Sequence, residues 1–345
     1  MRRSHSFRTR QIGPLTGRPA PQKEETDVKD LRYPAESATD RDTQLSALRS
    51  RLPYLVALPT AAVLTLSACG GGGEEAAEGG GSPAVAVDEE LAAMVPEEIA
   101  GRGVITIGVD SEYPPAEFLD TDGQTVLGFD VELFDAVAGK LGLETKWQSA
   151  QFDSIITGVN SGKYDVGVSS FTITAERLEN VTMVSYLVVG TQWFGLAGNP
   201  EGVDPDDACG KRIAVQAGTI QVDDIEARSD KCVDEGKDPI EIQQFESQTQ
   251  ATSSVVSGQS DASLADLPVA AYAIEQTGDK LETYGEQYEA APYGVVLPKE
   301  ETELAEAIRA GFAAIMEDGT YDEILAEWGI ASGGIETPEV NPDAE

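Results

Sequence analysis

Residues 164–177 read Tyr164-Asp165-Val166-Gly167-Val168-Ser169-Ser170-Phe171-Thr172-Ile173-Thr174-Ala175-Glu176-Arg177. The run 164–169 has the apolar spacing of a short strand. Hydroxyl side chains and free backbone N–H groups follow at its carboxyl end, with an arginine one turn further on. In open α/β sheets a ligand lies in the crevice beyond the carboxyl ends of the strands. The planar fork of Arg177 suits a carboxylate held by two parallel charge-assisted hydrogen bonds. The plainer alternative is an ion pair of Arg177 with Glu176 or Glu179 on a helix surface.

Outward from this stretch, short apolar runs alternate with helical ones between about Pro96 and Ile330. Strands are expected at 104–109, 143–147 and 164–169, with helices at 130–141 and around Ile155, Ile156 and Val159. A second set follows: strands at 212–216, 241–245 and 261–264, and helices at 220–228, 248–257 and 267–277. The last part reads as a strand at 294–297 and helices at 303–317 and 321–328. Strand–helix alternation argues for parallel sheets covered by helices on both faces. Two such sets predict two α/β lobes.

The chain has 345 residues, 24 of them Lys or Arg and 61 Asp or Glu, a formal charge of −37. That field repels nucleic acid and anionic headgroups, so neither is expected as a direct partner. Cys69 ends Leu66-Ser67-Ala68-Cys69, after an apolar run at 54–66 and the basic Arg49 and Arg51. This is the pattern of a secretory signal, and its last residues resemble the lipobox of bacterial lipoproteins, in which the Cys is lipidated. Residues 1–68 are therefore read as leader, with a translation start at Leu45 or Leu48 the reading for its long polar extension. Removing them leaves 13 basic and 54 acidic residues, a net of −41. The single histidine, His5, goes with the leader, which excludes Ser-His-Asp or Cys-His catalysis and His-ligated metals. Residues 69–95 are expected to be the lipidated Cys and a flexible tether, and 332–345 an acidic disordered tail. No later segment approaches the length of a membrane span. Cys209 and Cys232 remain in an exported chain, where a structural disulfide between them is expected.

Four further places carry candidate chemistry. Asp110-Ser111-Glu112-Tyr113-Pro114-Pro115 follows the first strand, with Tyr113 either an aromatic wall for a ligand or a half-buried turn residue. Phe152-Asp153 follows the strand ending at Trp147, and Phe152 either faces the cleft or staples its helix. Gln216-Ala217-Gly218-Thr219-Ile220-Gln221 opens a helix whose free N–H groups favour an anion. Asp266 ends the strand from Asp261, with helix capping beside Pro268 as its plainer role.

The order and spacing of Asp110-x-x-Tyr113-Pro114-Pro115, Gly128-Phe129-Asp130, Phe152-Asp153, Ser169-Ser170-x-Thr172-x-Thr174-x-Glu176-Arg177, Gly210-Lys211-Arg212-x-x-Val215-x-x-Gly218-Thr219, Asp261-x-x-x-x-Asp266 and Asp318-Gly319-Thr320-Tyr321 are together specific. Over about 100–330 they resemble the amino-acid-binding, family 3 solute-binding proteins of bacterial ABC importers. The resemblance implies the type II periplasmic binding protein fold, two α/β lobes joined by two hinge strands with a ligand cleft between them. Lobe 1 comprises 96–194 plus 290–331 and lobe 2 comprises 195–289, with hinges near 191–196 and 288–295. It implies Arg177 for the ligand α-carboxylate, helped by Ser170, Thr172 and the N–H groups around Thr219. Asp266 with the Ser170 carbonyl takes the α-ammonium, Tyr113 and Phe152 sandwich the side chain, and Gln216 and Gln221 sit near its far end. Asp110, Ser169 and Gly218 complete the expected ligand-binding set. Ala116 departs from the aromatic that many relatives carry after the double proline, a change expected to widen the pocket.

No catalytic residue, cofactor or metal is expected. The function implied is capture of an amino acid outside the membrane by cleft closure and delivery to a permease coupled to an ATPase, by a monomer held to the outer face only by its lipid. Asp110, Glu112 and Glu117 either favour cationic ligands or are solvated surface, so the ligand is read as neutral polar or basic, with a lean to neutral polar. Two alternatives are a sensing protein for a membrane receptor and an enzyme resembling the cyclohexadienyl dehydratases.

Overall fold

The computed structural model describes residues 86–344, so the leader, Cys69 and the start of the expected tether lie outside the described residues. Two short helices, α1 (Glu89–Ala92) and α2 (Glu97–Arg102), lead into β1 (Val104–Val109). A small antiparallel sheet of β2 (Glu112–Tyr113), β3 (Glu117–Leu119) and β4 (Val126–Leu127) follows. Next come α3 (Phe129–Lys140), β5 (Glu144–Ser149), α4 (Phe152–Asn160), β6 (Val166–Gly167) and α5 (Ala175–Asn180). The long β7 (Val181–Leu196) leads to β8 (Arg212–Gln216), α6 (Ile220–Asp234), β9 (Glu241–Phe245), α7 (Gln248–Val256), β10 (Ala262–Asp266) and α8 (Leu267–Gln276). The equally long β11 (Leu281–Pro298) returns to α9 (Thr302–Glu317) and α10 (Thr320–Glu327).

The main sheet runs β5-β1-β6-β11-β7-β10-β8-β9. β1 pairs in parallel with β5 and β6, and β8 in parallel with β9 and β10, so each lobe has its own parallel core. β7 and β11 are antiparallel to each other and pass through both lobes. Their ladder loses register between Tyr284 and Tyr288 and again before Ala291, at the crossing between lobes. Thr191 already pairs with Asp266 of β10, so the first crossing falls near Val188–Thr191 rather than at 191–196, and residues 191–194 belong to lobe 2.

One core cluster lies wholly in lobe 2, and a larger one runs through both lobes, with Phe194, Ala214 and Val269 of lobe 2 joined to the lobe 1 residues. In lobe 2, Trp193, Ile213, Val215, Ile225 and Leu264 are buried together. In lobe 1, α3 buries Phe129, Leu133, Phe134 and Val137 against α9, which contributes Leu304, Ile308, Phe312 and Ile315. The two helices approach closely because position 311 is glycine: a Cβ there would lie 2.8 Å from Val137 Cγ1. Each such side chain, once fully buried, contributes about 1.5–3 kcal/mol relative to exposure.

Three expectations are corrected. The strand expected at 164–169 forms a ladder only over Val166–Gly167, because Ser170 turns into the left-handed region with φ 50° and redirects the chain. The tether does not extend to residue 95: Asp88 caps α1 through Glu90 and Leu91 N–H groups and donates its own N–H to the Lys140 carbonyl, and Val95 is buried. The tail after 331 is ordered against β7 instead of disordered. Glu339 and Asn341 exchange backbone hydrogen bonds with Ser185 and Met183, and Val340 forms a bridge with Val184. The reason is an edge: over residues 181–188 β7 has β11 on one side only, and the tail supplies the missing partners.

Cys209 and Cys232 form a disulfide with Cα atoms 5.6 Å apart, tying the start of lobe 2 to α6 across 23 residues. Closing a loop of that length stabilises by ~3 kcal/mol in the chain-entropy model. The double variant Cys209→Ser/Cys232→Ser is expected to lower the melting temperature by roughly 5–10 °C. An unchanged calorimetric midpoint would contradict this.

Candidate functional site

The lobes meet across a shut cleft. Tyr113 of lobe 1 donates its hydroxyl to Asp266 Oδ2 of lobe 2 at 2.8 Å. Gln216 Nε2 donates to Asp110 Oδ2, Arg177 Nη2 to the Gly218 carbonyl at 3.2 Å, and Thr249 Oγ1 to the Glu112 carbonyl at 3.2 Å. Between the lobes a small pocket, with a cavity volume of only about 10 Å³, is lined by Tyr113, Phe152, Ser169, Ser170, Thr172, Arg177, Gln216, Thr219, Ile220, Gln221 and Asp266. Ten of these are residues singled out in the sequence, and Ile220 is the addition. Asp110 lies directly behind Gln216, and Gly218 forms the rim under Arg177. Gly218 has φ +78°, and a Cβ there would come within 2.8 Å of Asp153 Cβ, so glycine is what permits this close seating of lobe 2 on α4.

Arg177 is placed by the start of α5. Thr174 is the N-cap, its hydroxyl accepting the Arg177 N–H at 3.2 Å. The guanidinium donates from Nη1 to the Thr172 carbonyl at 2.7 Å and lies over the rings of Phe152 and Phe171, 5.6 and 5.4 Å from their centroids. These rings stack with centroids 4.5 Å apart. Phe152 therefore supports the arginine as well as lining the cavity. Desolvation lowers the guanidinium to about 10, and the charges of Asp266, Asp223 and Glu176 oppose that, so it is charged at neutral pH. The ion pair with Glu176 or Glu179 does not form among the described residues, which leaves the guanidinium edge for the cavity.

Asp266 stands at the N-cap position of α8 yet makes no capping hydrogen bond. Its Oδ2 accepts the Tyr113 hydroxyl and the Tyr293 hydroxyl at 2.6 Å, and its Oδ1 accepts Gln221 Nε2 at 2.9 Å. Gln221 Nε2 also reaches Thr191 Oγ1 at 3.1 Å. Gln221 is thus beside Asp266, not at the far end of the cavity with Gln216. Burial raises the Asp266 carboxyl above its ordinary value, opposed by the bonds from Tyr293, Tyr113 and Gln221 and by the Arg177 charge. Tyr293 and Thr191, on the two crossing strands, were not visible as site residues, because β-ladder positions inside long strands carry no local mark of facing a cleft.

At the other end, Asp110 is 4 % exposed. Burial pushes its carboxyl up to about 6, against the hydrogen bonds from Gln216 and the Glu112 N–H and with the charges of Glu112 and Asp153. Gln216 Oε1 is buried and receives no hydrogen bond from the described chain. Thr219 is the N-cap of α6, but its hydroxyl bonds the Gln216 carbonyl, so the first-turn N–H groups keep no side-chain cap.

The hydroxyl cluster is only partly what its sequence suggests. Ser169 Oγ donates to Glu117 Oε1 and accepts the Asp110 N–H, while Ser170 gives both N–H and Oγ–H to Asp130 Oδ2. Thr172 alone keeps its hydroxyl without a protein partner among the described residues. Glu117 is fully buried rather than solvated surface. Ala116 is buried in the lobe 1 core and does not line the cavity, so it does not widen it.

Two α/β lobes shutting on a small cavity, with a cation on one lobe and an anion on the other, define a binding protein for a small charged solute. The model of the bacterial extracellular solute-binding proteins, family 3, matches residues 105–331, and the chain belongs to this family. The arginine-binding protein ArgT of Corynebacterium glutamicum is 40% identical over 253 residues, 73% of this chain and 83% of the relative. The L-cystine-binding protein TcyJ of Escherichia coli is 26% identical over 243 residues, 70% and 86% of the two chains. Among solved structures, an ancestral arginine-binding protein, bound to glutamine or to arginine, superposes with a TM-score of 0.61 at 30% identity, covering 66% of this chain and 98% of that one. The fold is that of the type II periplasmic binding proteins.

Proposed function

We propose that the protein captures a cationic amino acid, arginine foremost, and delivers it to an importer. The observation that carries this is the Asp110–Gln216 end of the cavity. There Gln216 Oε1 is a buried carbonyl oxygen without a donor, and behind Gln216 lies the buried Asp110 carboxylate, held by the Gln216 amide and the Glu112 N–H. A guanidinium with its five N–H donors supplies the missing donor and answers the carboxylate charge. Arg177, Asp266 and Asp110 sum to one negative charge, which a zwitterion of no net charge leaves unmatched and a cationic amino acid neutralises. Glu176 and Asp223 at the outer mouth add to the attraction. The names of the relatives ArgT and the ancestral arginine binder point the same way, and they move the reading from neutral polar to basic.

In this reading the ligand α-carboxylate lies on Arg177, Thr172 and the α6 N-terminus, and the α-ammonium on Asp266 and the Ser170 carbonyl. Tyr113 and Phe152 hold the aliphatic stem. Because Arg177 is on lobe 1 and Asp266 on lobe 2, the ligand bonds to both only in the shut form, so binding drives closure. The shut form is what a membrane permease coupled to an ATPase reads. The protein acts as a monomer, anchored by a lipid on Cys69. We hold the function to be binding without chemistry, as the names of the solute-binding relatives suggest.

A thermal-shift and calorimetry panel tests the ligand. Arginine is expected to raise the melting temperature most, by linkage to the native state. Citrulline, similar in shape but uncharged at the far end, is expected to bind at least about tenfold more weakly. Glutamine or citrulline binding as tightly as arginine would overturn the assignment.

A further inference from the structure

Beneath the cavity floor, Glu117 of β3 and Asp130 in the first turn of α3 are both 0% exposed. Their carboxyl groups lie within hydrogen-bonding reach of each other, and no Lys or Arg among the described residues is bonded to either. Each grips a residue that lines the cavity. Glu117 Oε1 accepts Ser169 Oγ–H at 2.7 Å, and Ser169 Oγ accepts the Asp110 N–H at 3.0 Å. Asp130 Oδ2 accepts the N–H and Oγ–H of Ser170 at 2.7 and 3.1 Å, and its Oδ1 accepts the Tyr186 hydroxyl at 2.8 Å. Glu117 Oε2 is buried and has no donor in the described chain.

Two carboxylates in contact away from water do not both stay ionised. One proton between them replaces repulsion with a charge-assisted O–H···O⁻ bond. We propose that Glu117 and Asp130 hold a single proton between them and form a positioning pair that fixes Ser169, Ser170 and Asp110 in the binding geometry, so that losing this proton at alkaline pH loosens the ligand site. The proposal rests on the reading of this cleft as an amino-acid site. Asp130 receives three donors and Glu117 one, so the charge resides on Asp130 and the proton on Glu117 Oε2. Ser170 at φ 50° is a strained conformation for a serine, and the two bonds to Asp130 hold it. Burial, and then the Asp130 charge, push Glu117 well above the usual carboxyl range.

The groups facing the pair from neighbouring elements are Asp110 after β1, Tyr113 on β2 and Tyr186 on β7. Burial raises both tyrosines, which stay neutral, and Asp110 is negative above its own titration. None offsets a second negative charge on the pair.

Two measurements on the full protein test this. Infrared difference spectra of the ligand-free protein at pH 8 should show the carbonyl band of a buried protonated carboxyl, fading as pH rises and absent from Glu117→Gln. No band in the wild type, or the same band in the variant, would overturn the pair. Arginine titrations from pH 7 to 10 form the second arm. The amide of Glu117→Gln replaces the acid O–H donor, so its affinity at pH 7 should stay within about threefold of wild type, while Glu117→Ala should weaken it about tenfold. The ligand ammonium titrates with both proteins, so the difference between the two profiles reads the pair: wild type should lose more affinity on the alkaline side than Glu117→Gln. Superimposed profiles, or a Gln variant as weak as the Ala variant, would also overturn it. The infrared arm needs no ligand, so a wild type that ignores arginine would sink the proposed ligand and leave the pair to be judged by its proton.

Discussion

Asp266→Ala and Arg177→Ala are each expected to weaken amino-acid binding on the order of a hundredfold or more, with the fold intact. Removing one partner of a buried, hydrogen-bonded charge contact costs about 2–5 kcal/mol, since the ligand group left behind is desolvated and unpaired. Asp266 also accepts Tyr113 across the cleft, together with Tyr293 and Gln221. Its loss therefore removes both the proposed ammonium site and a hydrogen bond that joins the lobes. Isothermal calorimetry should show no arginine heat, and small-angle scattering with arginine present should show a larger radius of gyration than wild type. Neither residue supports the lobe cores: Asp266 makes no capping bond to α8, and Arg177 sits on a six-residue helix at the rim. Circular dichroism should accordingly be unchanged. Affinity within a few-fold of wild type in either variant would refute the assignment of the two charges.

Asp110→Asn is expected to exchange ligand preference, not to abolish binding. The amide keeps the volume and removes the charge that a guanidinium answers, so arginine should lose on the order of a hundredfold while citrulline should lose little. The pH dependence follows from the same carboxyl. In the native protein burial holds it up at about 6, against an ordinary value of 3.8. Below about pH 6 it takes a proton, the charge disappears and arginine binding should weaken. The ligand-free fold should respond in the opposite sense. A raised native pKa means that the native state holds the proton more tightly than the unfolded chain, so this carboxyl stabilises the fold increasingly as pH falls from 6 toward 4. The Asn variant should lose both trends. An arginine affinity that falls equally through pH 6 in wild type and Asp110→Asn would assign the acid limb to another group.

Much of this was legible in the chain. The alternation of strands and helices, the arginine one turn past a strand end, and Asp266 at the close of another strand all follow from local period and position. These are properties that neighbouring residues carry together. The pairings that escaped notice join residues far apart in sequence. Tyr113 and Asp266 are 153 positions apart, and Ser170 and Asp130 are 40 apart. Glu117, read as one of three acidic residues near a loop, proves to be a buried partner of Asp130, since only the packing of β3 on α3 removes it from water. The two serines looked like ligand donors because their hydroxyls stand at a strand end, yet both hydroxyls are engaged by those acids. Proline-bearing, acidic composition after residue 331 read as a tail, and the edge of β7 gave it hydrogen bonds instead.

The sequence by itself determined the two-lobed α/β class, the family and the two opposite charges, Arg177 and Asp266, that line the cleft, because each is written in short-range spacing. The tertiary structure decided which hydroxyls are spent, which carboxylates are buried, that Gln216 pairs with Asp110, and where the chain crosses between lobes. Burial and pairing between distant segments fix those features, and no local pattern encodes the desolvation or the partner that an ionisable side chain will find.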